Sequence, residues 1–294
     1  MDMLSNFSPV SVPDALPSHE EESVLSKQAS LIEGLIAHSS LLIAFSGGAD
    51  SAYLAWAANR AIGELALSVT ALSASFSAND REHAERFVRT YSIRHEFIET
   101  REFANPLYVA NNSDRCYHCK DELFTRMETL ARARGFSAIA YGINADDTHD
   151  FRPGHRAATE HRVISPLLDA GLTKTEIRQL SRLAGLETWD RPASPCLSSR
   201  IPYGTRVTPE LLVHVELAED AVRRLGFRQF RVRAFGQNAR IELASDELPR
   251  GLAPDVSQAL IAAVESAGFS TAAIDPAGYR QGSLNSSLKK TGLD

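Results

Sequence analysis

A doubly wound α/β fold with a mainly parallel sheet, followed by a smaller C-terminal α+β domain, is predicted by three observations. Leu41-Leu42-Ile43-Ala44-Phe45 is a continuous apolar run that ends at once in Ser-Gly-Gly, as a strand buried on both faces does. From residue 21 to residue 204, strand-like and helix-like stretches alternate. Beyond Pro202-Tyr203-Gly204 the rhythm changes to the period-two run Phe230-Arg231-Val232-Arg233-Ala234-Phe235.

Residues 1–20 carry prolines and serines without apolar periodicity and read as a flexible lead-in. Val24, Leu25, Leu31, Ile32, Leu35 and Ile36 fall near helical spacing, which predicts an amphipathic helix stopping at His38-Ser39-Ser40. After the first strand come a helix over 50–60, a strand over 67–74, a helix over 80–90 and a strand over 95–98. A long helix over 116–134, a strand over 138–141, an Asp-rich loop, a short strand at Val163-Ile164 and a helix over 174–183 complete the first domain, 21–204. Domain 205–294 reads as a helix over 209–225, a hairpin turning at Gly236-Gln237-Asn238, a helix over 257–267 and a strand over 272–274.

At 44% hydrophobic and 23% charged residues, disorder throughout is excluded. The net charge of −6 repels polyanions, so the sequence disfavours nucleic-acid binding except by a local patch. No stretch approaches the roughly 20 apolar residues of a membrane span. The N-terminus lacks the basic and apolar regions of a secretory signal, which predicts a cytoplasmic location. In such a reducing compartment three cysteines point to metal or sulfur chemistry rather than to disulfides.

Ser46-Gly47-Gly48-Ala49-Asp50-Ser51 lies between the first buried strand and the next helix. Glycines let backbone N–H groups turn toward an anion, and the helix N-terminus adds partial positive charge, so a polyphosphate binds without a basic cluster. Ser46 and Ser51 supply hydroxyl donors. Asp50 is unfavourable beside phosphates unless Mg²⁺ intervenes, which predicts a metal–nucleotide complex. The loop matches neither the Walker nor the dinucleotide pattern. Its bland reading is a Gly-rich turn with Asp50 as N-cap.

Arg115-Cys116-Tyr117-His118-Cys119-Lys120 sets two thiols at i and i+3 of a helix start, a position that favours thiolate. Cys196 lies in Ser194-Pro195-Cys196-Leu197-Ser198-Ser199-Arg200, which a doubly wound sheet brings to the same crevice. Zn²⁺ needs a fourth ligand, such as His118. A [4Fe–4S] cluster on three thiolates would leave one iron open to hydrosulfide. The bland alternatives are a redox pair or buried small hydrophobes.

The Ser-Gly-Gly-x-Asp-Ser loop after the first strand resembles the PP-loop ATP pyrophosphatases, which implies ATP binding, adenylation of the substrate and release of pyrophosphate. Ala44 to Ser51, Asp114 to Lys120, Tyr141-Gly142-Ile143-Asn144-Ala145-Asp146-Asp147, Phe151-Arg152-Pro153-Gly154, Ser165-Pro166-Leu167, Pro195 to Gly204 and Gly278 to Asn285 together resemble one branch, the LarE family of sulfur-inserting enzymes of nickel-pincer nucleotide biosynthesis. That resemblance implies adenylation and thiolation of the carboxylates of pyridinium-3,5-biscarboxylic acid mononucleotide, a small nucleotide substrate, by a homo-oligomer. The family has a single-cysteine type, in which the residue matching Cys196 gives up its own sulfur. It also has a three-cysteine type, which implies Cys116, Cys119 and Cys196 as ligands of a [4Fe–4S] cluster. This sequence has all three.

The remaining candidates are weaker signals. Asp146 and Asp147 are expected at Mg²⁺ on the ATP phosphates, or as caps of the following turn. Gly142 is expected to leave room for adenosine and Ser73 to touch it. Arg231 and Arg233 leave one face of a strand and, with Arg200 and Arg280, suit a substrate phosphate; otherwise they form a basic face paired with acids such as Glu242. Trp189 and Tyr203 flank the Cys196 segment as stacking or core residues. The alternative function is a PP-loop tRNA thiolase with an iron–sulfur cluster, which needs an extended basic surface. An ammonia-using synthetase would not need the cysteines, and a nucleotide sensor would release no pyrophosphate.

Overall fold

The computed structural model describes residues 19–149 and 153–280. The lead-in before residue 19, Phe151-Arg152 and the stretch from Gln281 to Asn285 lie outside the described residues. The chain runs α1 (His19–Ile36), β1 (Leu41–Ala44), α2 (Ala49–Ile62), β2 (Ala66–Leu72), α3 (Ala78–Thr90), β3 (His95–Glu99), α4 (Pro106–Ala110), α5 (Arg115–Arg134) and β4 (Ala138–Tyr141). It continues with α6 (Pro153–Glu160), α7 (Pro166–Asp169), α8 (Lys174–Leu183), α9 (Pro209–Arg224), β5 (Phe230–Phe235), β6 (Asn238–Leu243), α10 (Leu248–Gly251), α11 (Pro254–Ser266) and β7 (Thr271–Ile274).

The first sheet is parallel throughout, in the order β3-β2-β1-β4. Leu41 and Ile43 of β1 enter one apolar cluster with α1, α2, α3 and α8, while Leu42 enters another with Leu67, Val69, Phe124 and Met127. Successive residues of a strand face opposite ways, so an unbroken apolar run is what two covered faces require. Because β2 and β3 extend the sheet on one side of β1 and β4 joins the other, the chain reverses direction between β1 and β4. A ligand crevice opens at such a reversal, outside the strands' carboxyl ends.

Helix starts follow capping chemistry. Ser77 accepts from the Asp80 N–H, Thr208 accepts from that of Leu211, and Thr173 with Glu176 forms a capping box. The expected strand at Val163-Ile164 is realised as a single parallel bridge between Ala140 and Ile164. The helices α4, α6, α7 and α10 were not predicted; three of them span only four or five residues, too few for a periodic signal.

The second sheet is mixed: β5 and β6 are antiparallel, and β7 joins β6 in parallel. The hairpin turn is the pair Gly236-Gln237, with Asn238 already in the strand. The apolar cluster behind this sheet draws Tyr108, Leu197 and Ile201 from before residue 205. The Cys196 segment is thereby built into the seam between the two sheets.

Candidate active site

The loop 46–51 follows β1 and opens α2, with Gly48 rather than Asp50 as N-cap. Gly47 sits at φ 74°, the left-handed region where glycine carries no Cβ penalty. The Ser46 and Ser51 hydroxyls stand 3.0 Å apart, and Ser51 Oγ donates to the Gly48 carbonyl at 3.1 Å. Gly142 follows β4, the parallel neighbour of β1, and a Cβ there would stand 2.9 Å from Ser51 N and 3.0 Å from its Cα. The glycine therefore admits the α2 backbone.

At the reversal, Asn144 Nδ2 donates to Asp50 Oδ2 at 3.1 Å, while Asp50 Oδ1 is buried without a partner. Burial, reinforced by the charge of Asp147, holds the Asp50 carboxyl above its ordinary range despite Lys174 and Arg178. Asp147 is buried and its Oδ2 accepts from Asn144 N. Asp146 accepts the Lys174 N–H at 2.8 Å, so it caps the start of α8. An unpartnered buried carboxylate oxygen facing a second carboxylate fits the donor chemistry of Mg²⁺.

The residue joining this loop to the cysteine segment had no sequence signal of its own. Arg191 Nη1 donates to the Gly47 carbonyl at 2.9 Å and Nη2 to Asp80 Oδ1 at 2.8 Å. Asp80 Oδ2 also accepts from Ser77 and from Ser194, two residues before Cys196. On the far side, the Leu197 N–H donates to the Ser75 carbonyl beyond β2 at 2.9 Å. Ser73 lies beside it, its hydroxyl 2.9 Å from that of Ser75.

Cys116 and Cys119 lie on the first two turns of α5, Cys196 immediately before the turn at Leu197–Arg200, and all three are partly exposed. Arg115 spans the two segments, its Nη2 3.9 Å from Cys116 Sγ and its Nη1 2.8 Å from the Ser198 carbonyl, two residues beyond Cys196. The expected thiolate character is not found: burial pushes Cys196 up and Cys119 well up, against the pull of Arg115. Glu102, just beyond β3, adds negative charge beside Cys119 and has a buried oxygen without a partner. Among the described residues no three His, Cys, Asp or Glu side chains form a group that would hold a metal ion as they stand. Three neighbouring sulfur donors nevertheless fit an iron–sulfur cluster in kind.

Three of the four arginines expected at a substrate phosphate, Arg200, Arg231 and Arg233, hold carbonyls of the Cys196 segment. Arg200 forks onto Glu219 at 2.9 Å through Nε and Nη2, and its Nη1 donates to the carbonyls of Pro195 and Cys196. Arg231 donates to the Ala193 carbonyl, and Arg233 donates to the Ser199 carbonyl at 2.9 Å while pairing with Glu242. The two do leave one face of β5, but that face meets a loop whose carbonyls have no ladder partners and need donors. Arg280 lies apart and pairs with Asp275 at 3.5 Å. Trp189 is 39% exposed under Arg182, and the Tyr203 ring lies under Arg115.

No protein-family model matches the chain. An uncharacterized protein of Synechocystis sp. is 43% identical over 250 residues, 85% of this chain and 93% of its own length. An uncharacterized protein of Methanocaldococcus jannaschii is 26% identical over 207 residues, 70% of this chain and 78% of its own. The pyridinium-3,5-bisthiocarboxylic acid mononucleotide synthase of Lactiplantibacillus plantarum is 31% identical over 277 residues, 92% of this chain and 98% of that enzyme. With the glycine loop 46–51 and the Cys196 segment clasped together at the carboxyl end of a parallel sheet, and with this likeness over almost all of both chains, the protein belongs to the LarE family of pyridinium-3,5-bisthiocarboxylic acid mononucleotide synthases.

Proposed function

We propose that the protein is an ATP-dependent sulfurtransferase that converts the carboxylates of pyridinium-3,5-biscarboxylic acid mononucleotide to thiocarboxylates. The observation that carries this reading is the clasp of Arg191 between Gly47 and Asp80, which sets the Cys196 segment beside the phosphate loop. A substrate carboxylate oxygen attacks the α-phosphorus of ATP, and the P–O bond to pyrophosphate breaks. Backbone N–H groups of residues 46–51 hold the departing charge. Sulfur then attacks the acyl carbon and AMP leaves with the C–O bonding pair. Asp50, with Asp147 and Asp146 nearby, would hold Mg²⁺ to neutralise the phosphates.

Cys196 is the residue on which the sulfur step depends, either as the sulfur donor or as a ligand with Cys116 and Cys119. A [4Fe–4S] cluster held by these three would offer one iron to an exogenous sulfide. Arg200, Arg231 and Arg233 keep the loop carbonyls satisfied so that Cys196 is presented in one orientation, and Arg280 stays a candidate for the substrate phosphate. The Lactiplantibacillus plantarum relative is named as a mononucleotide synthase, which supports a small substrate rather than tRNA. Cytoplasmic action as a homo-oligomer belongs to the same proposal; among the described residues no helix is long and apolar enough to cross a membrane.

The test supplies ATP and the biscarboxylate mononucleotide to the anaerobically purified chain and to Cys196→Ala. Both are expected to release pyrophosphate, and only the parent to form thiocarboxylate. Thiocarboxylate from Cys196→Ala, or no pyrophosphate from the parent, overturns the proposal. Iron, labile sulfide and the mass at Cys196 separate the two sulfur sources: about four of each per chain for a cluster, against loss of H₂S from Cys196.

A further inference from the structure

His95 opens the edge strand β3, and its ring stands edge-on to those of Phe45 and Phe97, with centroids 5.7 and 4.6 Å away. We propose that His95 is a positioning residue for the loop 46–51, the first donor of a hydrogen-bond relay that runs through Thr70 and the Phe45–Ser46 peptide to the N-cap of α2. The proposal rests on the ATP-binding reading of that loop and deepens it.

The last paired residues of β1 and β2 are Ala44 and Val69, so Phe45 is where the chain leaves the sheet. The Phe45 N–H still donates to the Val69 carbonyl at 2.8 Å, but its carbonyl accepts from a side chain, Thr70 Oγ1, at 2.7 Å. From the next strand, His95 Nε2 stands 2.8 Å from the same hydroxyl. Phe45 and Thr70 are both buried, so bulk water does not compete for these bonds. On the loop side of the same peptide, the Ser46 N–H donates to Ser51 Oγ at 3.2 Å, and Ser51 Oγ donates to the Gly48 carbonyl at 3.1 Å.

The direction of each bond follows from the protons available. A carbonyl has none to give and a hydroxyl has one, so Thr70 donates to Phe45 and the proton between Thr70 and His95 belongs to Nε2. Burial outweighs the pull of Glu85 and Glu96 and lowers the imidazole pKa to about 4, so at neutral pH this is the ring's one N–H. All the bonds then point the same way, from β3 to Gly48, and each polarises the next. Because the Phe45–Ser46 peptide is planar, holding its carbonyl also aims its N–H, and with it the first turn of the loop. Loop N–H groups stabilise a departing anion only where they are aimed beforehand.

The relay is read first without nucleotide, which keeps it separate from the test of the proposed function. Long-range proton–nitrogen NMR spectra of the full chain at neutral pH are expected to show His95 protonated at Nε2; a bare Nε2 overturns the proposal. The Ser46 amide resonance is expected to shift in His95→Phe, which keeps an aromatic ring and removes the donor, and to return in His95→Gln, whose amide N–H takes the place of Nε2–H. Calorimetric titration with ATP is expected to follow the same order: several-fold weaker binding in His95→Phe and in Thr70→Val, and near-parent binding in His95→Gln. Unchanged ATP affinity in His95→Phe, or a loss in His95→Gln as large as in His95→Phe, overturns the proposal. Should Thr70→Val not fold, the two His95 variants decide. A parent chain that binds no ATP would count against the proposed function, and the His95 proton with the Ser46 amide would still decide the relay.

Discussion

Arg191 and Asp80 form an ion pair at 2.8 Å, with side-chain exposures of 16% and 11%, that ties the loop 46–51 to the Cys196 segment. Asp80 sits on the first turn of α3, so its carboxylate also gains from the helix dipole. Removing Arg191 leaves a mostly buried carboxylate with hydroxyl partners alone. Arg191→Ala is therefore expected to cost about 1–3 kcal/mol in urea unfolding, to raise the KM for ATP, and to slow sulfur transfer more than pyrophosphate release. A variant with unchanged stability would show that the clasp carries no weight.

Asp50 poses the opposite problem, a buried carboxylate lacking a full set of partners. Its folded pKa lies above the unfolded value, so the stability it contributes is present below the unfolded pKa, near 3.9, and is lost as pH rises through the raised folded pKa. At neutral pH Asp50→Asn is expected to stabilise the nucleotide-free protein by on the order of 1 kcal/mol. The same variant should lose pyrophosphate release. Calorimetry with a pyrophosphate assay checks both, and a less stable Asp50→Asn would refute the account.

Gly142 tests the close approach of β4 to α2. A Cβ there meets backbone atoms of Ser51 and Asp50 at 2.9–3.1 Å, which a rotamer change cannot relieve. Gly142→Ala is expected to cost about 1–3 kcal/mol and to weaken ATP binding as the loop is pushed outward. Thermal unfolding and nucleotide titration measure the two effects.

His161 lies between Glu128 and Asp121, each 2.9 Å from a ring nitrogen. Burial opposes the imidazolium, but these two carboxylates outweigh it and hold the ring above its ordinary pKa. Its contribution is thus fully present below about pH 6.5 and disappears as pH rises through the folded value. His161→Gln should flatten the dependence of urea midpoint on pH above that point. An unchanged slope would remove the bracket from the stability of α5 against the end of α6.

The local signals in the sequence were strong wherever one short stretch carries its own reason. The apolar run at Leu41 declared a strand covered on both faces, the glycines of 46–51 declared a strand-to-helix turn, and the basic alternation at Phe230 declared a strand with Arg231 and Arg233 on one side. The period of each pattern is fixed by backbone geometry, so composition and spacing suffice. The same local view missed α6 and the partners of Arg200, Arg231 and Arg233, because a guanidinium's partner is chosen by what the fold sets opposite it.

What only the tertiary structure decided is how the site is held. Asp80 and Arg191 are 111 positions apart, and Asn111 lies 91 positions from the Pro202 carbonyl it holds. Nothing in the letters of either pair announces the other. The thiol pKa values were likewise beyond the sequence: a helix start favours thiolate, but desolvation in the seam between the two sheets outweighs it for Cys119 and Cys196. The sequence by itself determined which chemistries are present, because residue types carry them. Their distances, burial and charge neighbours arise from packing between segments far apart in the chain, and only the fold supplies those.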